Sequence, residues 1–472
     1  MSAAAPDPWP RRLMAMLIAL FAVSVLVSWV SVSYLGRNPA AVESFTPADG
    51  WCDPATDGIG VHCFGDFQLP RAFLGEDSPW DPVYPAPGAV PAPNPYTATA
   101  MAPHLFARAI EWVGAGHQGS MVAYLILLAA ALLAPALWAT LGRPRPRDWV
   151  PLLLIGVASG PFLTTMDRGN SAGFAVPFIL LFGLYVRRRP DWVAPVALVC
   201  AALIRPQFIF LALALLAFGR IRSTLAAVGA WFVISASAFA VVPGGPISNI
   251  SAWWSSLTAF DAQLDRLSVP LVASREFINL SVAHTVTMFD DWLVGAPGFV
   301  GTYGPMATDW IVGHTMVPGV VLALLALATV LLAPSRRVLP MALVVALIVP
   351  ILTQALSFGY YLMVALPLAA LILGPSADAL DGTGTSRERS GMLGSLSRSS
   401  RVMTAWAWGL LATIGLSVVP FIYSTDIGRQ STVKGYVGAL WLLVVLVTLV
   451  LMWMPPRILG VAQADDVTGA GR

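Results

Sequence analysis

Long apolar stretches, separated by short turns that carry most of the arginines, leave this 472-residue chain few folds to choose from. About 20 helical residues cross the hydrocarbon of a bilayer. Inside it every backbone N–H and C=O must find a partner within the protein, which leaves helices or a closed barrel. Twelve segments qualify as helical crossings or part-crossings: roughly 13–35, 121–141, 149–166, 171–186, 192–204, 207–219, 223–242, 311–333, 338–355, 359–374, 402–423 and 435–454. Several are shorter than a full crossing and are joined by tight turns. With 57% hydrophobic and 11% charged residues, and a mean hydropathy of +0.74, the composition is that of a membrane protein.

The arginines test this division, because basic residues favour cytoplasmic loops. Arg11 and Arg12, Arg143 to Arg147, Arg187 to Arg189, Arg220 and Arg222, Arg336 and Arg337, Arg387 through Arg401, and Arg457 all fall on one side if each segment crosses once. Roughly two thirds of the basic residues then lie on that side and roughly two thirds of the acidic ones on the other. The stretch 192–219 must count as two spans broken at Arg205-Pro206, since a single span would carry Arg220 and Arg222 across. The expectation is an all-α polytopic membrane protein of the plasma membrane, with about 12 transmembrane helices and both termini cytoplasmic. Residues 13–35 exceed the 7–15-residue core of a signal peptide and read as an uncleaved anchor.

The organisation that follows has a cytoplasmic N-terminus at 1–12 and a membrane core at 13–374. A polar linker at 375–401, a C-terminal transmembrane hairpin at 402–454 and a tail at 455–472 complete it. Two external loops, 36–120 and 243–310, are long enough to fold and to carry interfacial helices. A net charge of +2 without a basic patch excludes nucleic acid as a partner. Cys52 and Cys63 share the first external loop and are candidates for a disulfide, with two free thiols as the alternative. The five histidines have no zinc-like spacing, no phosphate-binding glycine loop is present, and neither a metal nor another cofactor is expected.

Every candidate for chemistry lies on the external side. Asp66 stands among apolar neighbours in Phe64-Gly65-Asp66-Phe67, where partial burial would raise its pKa and suit a general base. Asp167-Arg168-Gly169-Asn170 and Arg205-Pro206 form two turns on the same face, where Arg168, Asn170 and Arg205 could hold a phosphate. The alternatives there are an Asp167–Arg168 pair, or an Arg205 that snorkels to headgroups. Asn279, Ser281 and His284 form a polar set in the second external loop, with Ser281 and His284 on one helical face. Tyr360 and Tyr361 mark a further external turn, where interface anchoring competes with a site role.

In order and sidedness these elements resemble glycosyltransferase family 87, membrane enzymes of the GT-C type that include mannosyl- and arabinofuranosyltransferases. The resemblance runs over roughly residues 13–375. It rests on Asp66 after the first span, Asn94-Pro95-Tyr96 to Pro103 before the second, and the Gly169-Asn170 and Arg205-Pro206 turns. Asn279-Leu280-Ser281 and the Ser357 to Tyr361 turn ahead of Leu366-Pro367 complete it. The resemblance implies a GT-C-like core that moves a sugar from a polyprenyl-phosphate carrier to an extracytoplasmic glycan or glycolipid acceptor. Asp66 would take the acceptor proton, and Asn170, Arg168, Arg205, Asn279, Ser281 and Tyr360 would bind donor phosphate and sugar, supported by His284, Tyr361 and Tyr96. Where that family often carries a histidine, Tyr360 or Tyr361 stands here, which leaves His284 or His104 as partners for Asp66. A polytopic transporter or lipid-linked-sugar flippase is the alternative; its polar residues would sit mid-helix, whereas the acids here are in loops.

Overall fold

The computed structural model describes residues 8–35, 64–83, 92–141, 149–188, 190–273, 280–286, 314, 316–354, 357, 359–375, 400–418 and 436–459. Cys52, Cys63 and Asn279 lie outside them. The described residues form helices and no strands, with an isolated antiparallel bridge between Val83 and Ala92 in the first external loop.

In chain order the helices are α1 (Pro8–Leu35), α2 (Gly65–Phe73), α3 (Thr99–Thr140), α4 (Val150–Ala158), α5 (Gly160–Arg168) and α6 (Ser171–Tyr185). They continue with α7 (Val193–Ile204), α8 (Pro206–Ala217), α9 (Ile221–Val241), α10 (Pro246–Ala273), α11 (Met316–Leu332) and α12 (Leu339–Leu352). Then come α13 (Gly359–Leu373), α14 (Arg401–Val418) and α15 (Val437–Met452), followed by a single helical turn at Pro456–Leu459. By length and composition α3, α9 and α14 can each cross a bilayer, and α4 with α5, bent by 45° between them, makes a fourth candidate. The remaining apolar helices α6, α7, α8, α11, α12, α13 and α15 have only 10–17 residues. Among the described residues, the helices that meet this test are thus few beside the short ones.

The shortening has local causes. Pro206 lacks an N–H and disfavours helix at the residue before it, so Arg205 is extended (φ −142°, ψ 111°) and separates α7 from α8. Ser159 is likewise extended and caps α5 by accepting the Phe162 N–H. At the end of α5, Gly169 takes the left-handed conformation (φ 63°), and the Asn170 N–H reaches back to the Thr165 carbonyl. Asn170 then caps α6, its Oδ1 accepting the Ala172 N–H at 2.8 Å. Helices α6, α8 and α13 all open as 3₁₀ turns before relaxing to α-helix.

The core lies around α12, which is buried from Pro340 to Leu352, and α13, buried along its length. Both are apolar on every side, as a helix enclosed by other helices must be. Helix α12 packs against α8, α11 and α15, while α13 packs against α3, α6 and α14. At the periphery α9 exposes Leu225, Phe232 and Val233, an apolar face suited to lipid.

Helix α11 meets the C-terminal end of α12 at Gly319, where an added Cβ would lie 2.2 Å from the Thr353 carbonyl oxygen. Gly229, in α9, has nothing within 4 Å of the same position. Gly319→Ala should therefore destabilise the protein by about 1–3 kcal/mol, while Gly229→Ala should stabilise it by up to about 1 kcal/mol. Thermal unfolding of the two variants in one detergent checks both signs.

Candidate functional site

The start of α2 is pressed onto the turn between α5 and α6. A Cβ on Gly169 would lie 2.9 Å from the Phe67 Cβ, so glycine is required there both by its positive φ and by this approach. On the other side of the contact Phe64 adopts a left-handed conformation (φ 46°, ψ 38°), which is costly for an aromatic residue. That kink lets the Phe64 carbonyl accept the N–H groups of Phe67 and Gln68, both at 2.9 Å, and sets Asp66 in the first helical turn. Asp66 is therefore a helical residue with its side chain only 14% exposed, not a solvated loop acid.

The turn supplies its partners. Arg168 grips Asp66 bidentately, with Nε donating to Oδ2 at 3.0 Å and Nη2 to Oδ1 at 2.8 Å. Asn170 donates from Nδ2 to Asp66 Oδ2 at 2.7 Å, and its Oδ1 accepts from Arg205 Nη2 at 2.9 Å. The four side chains thus form one chain, Arg168–Asp66–Asn170–Arg205, across α2, the α5–α6 turn and the α7–α8 break. Arg168 thus pairs with Asp66, from a segment remote in sequence.

Burial pushes the Asp66 carboxyl up, but the Arg168 charge, hydrogen bonds from Arg168 and Asn170, and the Arg205 charge together outweigh it and hold the carboxyl below its ordinary value. This reverses the direction expected from burial alone, because the sequence did not show which cations would face it.

Arg205 is 7% exposed and does not snorkel to the surface. Its guanidinium carbon lies 4.7 Å from the centroid of the Tyr96 ring. Tyr96 is held by the loop around it: Trp80 Nε1 donates to the Tyr96 carbonyl at 3.0 Å, and the Tyr96 N–H donates to Asn94 Oδ1 at 3.0 Å. Trp80, Phe239 and Trp253 stack in series with centroids 5.1 and 5.7 Å apart, which fastens this loop to α9 and α10. Burial pushes the Tyr96 hydroxyl above its usual pKa, against the opposing Arg205 charge.

Tyr360 and Tyr361 are buried at the start of α13, rings 4.7 Å apart, within electrostatic reach of Arg205. They are core residues rather than interface anchors. His284 belongs to a short helical turn at 282–286 and Ser281 precedes it, the His284 N–H donating to Ser281 Oγ at 3.1 Å. The Leu280 N–H donates to the Ser357 carbonyl at 2.8 Å, which docks this turn beside the start of α13. The structure thus gathers Asp66, Arg168, Asn170, Arg205, Tyr96, Tyr360 and Tyr361 in one region and sets Ser281 and His284 at its α13 border.

Other participants carry no sequence signal. Tyr124, deep in α3, donates from its hydroxyl to the Gly169 carbonyl at 2.9 Å and packs its ring at a tilt against Phe67, centroids 4.8 Å apart. Among the described residues five polar atoms near these turns are buried without a hydrogen-bond partner: Arg205 Nε, Gln207 Nε2, Ser171 Oγ and both ring nitrogens of His104. Ser171 and Gln207 stand in the first turns of α6 and α8, where the helix dipole favours an anion. The arrangement can hold a carboxylate ionised in an apolar setting while offering spare donors to a negatively charged ligand. Among the described residues no group of three His, Cys, Asp or Glu gathers as metal ligands.

Comparison with models of protein families, with curated proteins and with solved structures finds no match for this chain.

Arg168→Gln should leave Asp66 as a buried carboxylate short of a partner and destabilise the protein by roughly 3 kcal/mol; denaturant or thermal unfolding measures the loss. Because the folded carboxyl is depressed, the stability it contributes is present above its unfolded pKa and disappears as pH falls through the lower folded value. Unfolding measured from pH 7 to pH 2 should therefore show a loss, concentrated below about pH 4, that Asp66→Asn lacks.

Proposed function

We propose that the chain is a membrane glycosyltransferase that moves a sugar, mannose or arabinofuranose, from a polyprenyl-phosphate carrier to a cell-envelope glycan or glycolipid. The observation that carries this reading is the Arg168–Asp66–Asn170–Arg205 chain, an ionised carboxylate beside an arginine with a donor to spare. It stands at the joints of short apolar helices, beside lipid. In this reading the short helices count with the long ones toward about twelve crossings, many of them broken, both termini face the cytoplasm, and the site opens outward, as the distribution of arginines favours.

The chemistry follows from the geometry. A polyprenyl phosphate keeps its tail in the bilayer and its phosphate at the surface, where Arg205 Nε, Gln207 and the starts of α6 and α8 offer donors. The acceptor hydroxyl attacks the anomeric carbon, the bond from that carbon to the phosphate oxygen breaks, and its electron pair leaves with the phosphate. Arg205 offsets the charge that develops there. Asp66 takes the hydroxyl proton. A carboxylate held below the usual range still suffices, because the attacking oxygen becomes strongly acidic as it bonds to carbon. Asn170 orients the carboxylate and links it to Arg205, which ties the two halves of the reaction.

Asp66→Asn, which keeps shape and loses charge, should lower transfer from polyprenyl-phosphate-mannose or -arabinofuranose by about 100-fold or more. Arg205→Lys should retain part of the activity and Arg205→Gln much less, since the first keeps the charge and loses only the fork. Radiolabelled transfer by purified protein in nanodiscs reads both; unchanged transfer in Asp66→Asn removes the proposal.

A further inference from the structure

His104 is 1% exposed, and neither ring nitrogen has a hydrogen-bond partner among the described residues. It sits in the first turns of α3, a helix whose neighbouring Leu105 and Phe106 face outward while His104 and Ala107 face in. The ring is fixed rather than loose: it stacks on Tyr124 at 5.4 Å with 24° between planes and lies 6.1 Å from Phe67. Both neighbours belong to the site. Phe67 follows Asp66, and Tyr124 is anchored to the Gly169 carbonyl. The charges that act on His104 are those of Arg205 and Asp66.

A buried polar group without a partner costs about 1–3 kcal/mol, and a phenylalanine of similar shape would stack equally well on Tyr124. The ring's orientation is therefore overdetermined by aromatic packing, while its hydrogen-bonding capacity is left unused. A neutral imidazole offers one N–H donor and one acceptor lone pair, which a vicinal pair of sugar hydroxyls can match, one hydroxyl accepting and the other donating. A phosphate offers only acceptors and suits Arg205 better.

We infer that His104 reads hydroxyl groups of the sugar being transferred, beside the carboxylate of Asp66, and that its unpaired nitrogens are satisfied only when the sugar is bound. The inference rests on the transferase reading and adds a sugar-recognising position to it. His104 touches substrate in this scheme and transfers no proton.

The test compares wild type, His104→Phe and His104→Gln in nanodiscs, with polyprenyl-phosphate-mannose and -arabinofuranose as donors, reading transfer kinetics and thermal unfolding without substrate. Expected are an unfolding temperature in His104→Phe equal to or above wild type, kcat/KM lower by about 10-fold or more, and a smaller loss in His104→Gln, whose amide keeps a donor and an acceptor. A purely structural histidine would behave in the opposite way, with a lowered unfolding temperature in His104→Phe, and that result overturns the assignment. So does wild-type kcat/KM in His104→Phe. If the wild-type protein transfers neither sugar, the transferase reading fails and takes this inference with it, whereas an active wild type matched by His104→Phe removes the inference alone.

Discussion

A carboxylate can remain ionised in an apolar protein only if cations and donors surround it, and Asp66 meets that demand with groups drawn from elsewhere in the chain. Arg168 and Asn170 lie more than a hundred residues away in sequence, at 102 and 104 positions, and Arg205 reaches them from a third segment. Each member of the chain satisfies the next. Removing any one would strand a buried charge or an amide, so the chain ties α2, the α5–α6 turn and the α7–α8 break to one another.

The backbone pays for this convergence in visible ways. Phe64 is held in a left-handed conformation, Gly169 leaves no room for a side chain, and Arg205 is pulled out of helix by the proline that follows it. These irregularities fall at the turns that carry the polar residues. Elsewhere the helices are plain, and α12 and α13 form a dry centre against which the broken helices are set. Rigidity from that centre and from the Trp80–Phe239–Trp253 stack reaches the site through Tyr96 and Tyr124. Among the described residues, Arg205 Nε stays unpaired within this frame.

A second polar group lies on the other side of Phe67. Arg71 holds Glu111 bidentately at 2.8 and 3.2 Å, Ser120 donates to the same carboxylate at 2.9 Å, and His117 stacks on Phe67 at 6.2 Å. It ties the far end of α2 to α3 where that helix is kinked by Gly114 and Gly116. Helix α2 is thus pinned at both ends by ionic contacts, which fixes the direction in which it presents Asp66.

The sequence by itself determined the helical character and the division into apolar segments able to enter a membrane, and it singled out Asp66, Arg168, Asn170 and Arg205, because hydropathy and the placement of charges are read locally along the chain. It also located the breaks, since Pro206 and Gly169 act on their own neighbours. Only the tertiary structure decided which cation faces Asp66, and therefore that its carboxyl is depressed rather than raised. It alone showed that Tyr360 and Tyr361 are buried and that His104 and Tyr124 stand against Phe67. Electrostatics and stacking depend on distances of a few ångströms between segments remote in sequence, and no periodicity or composition encodes them.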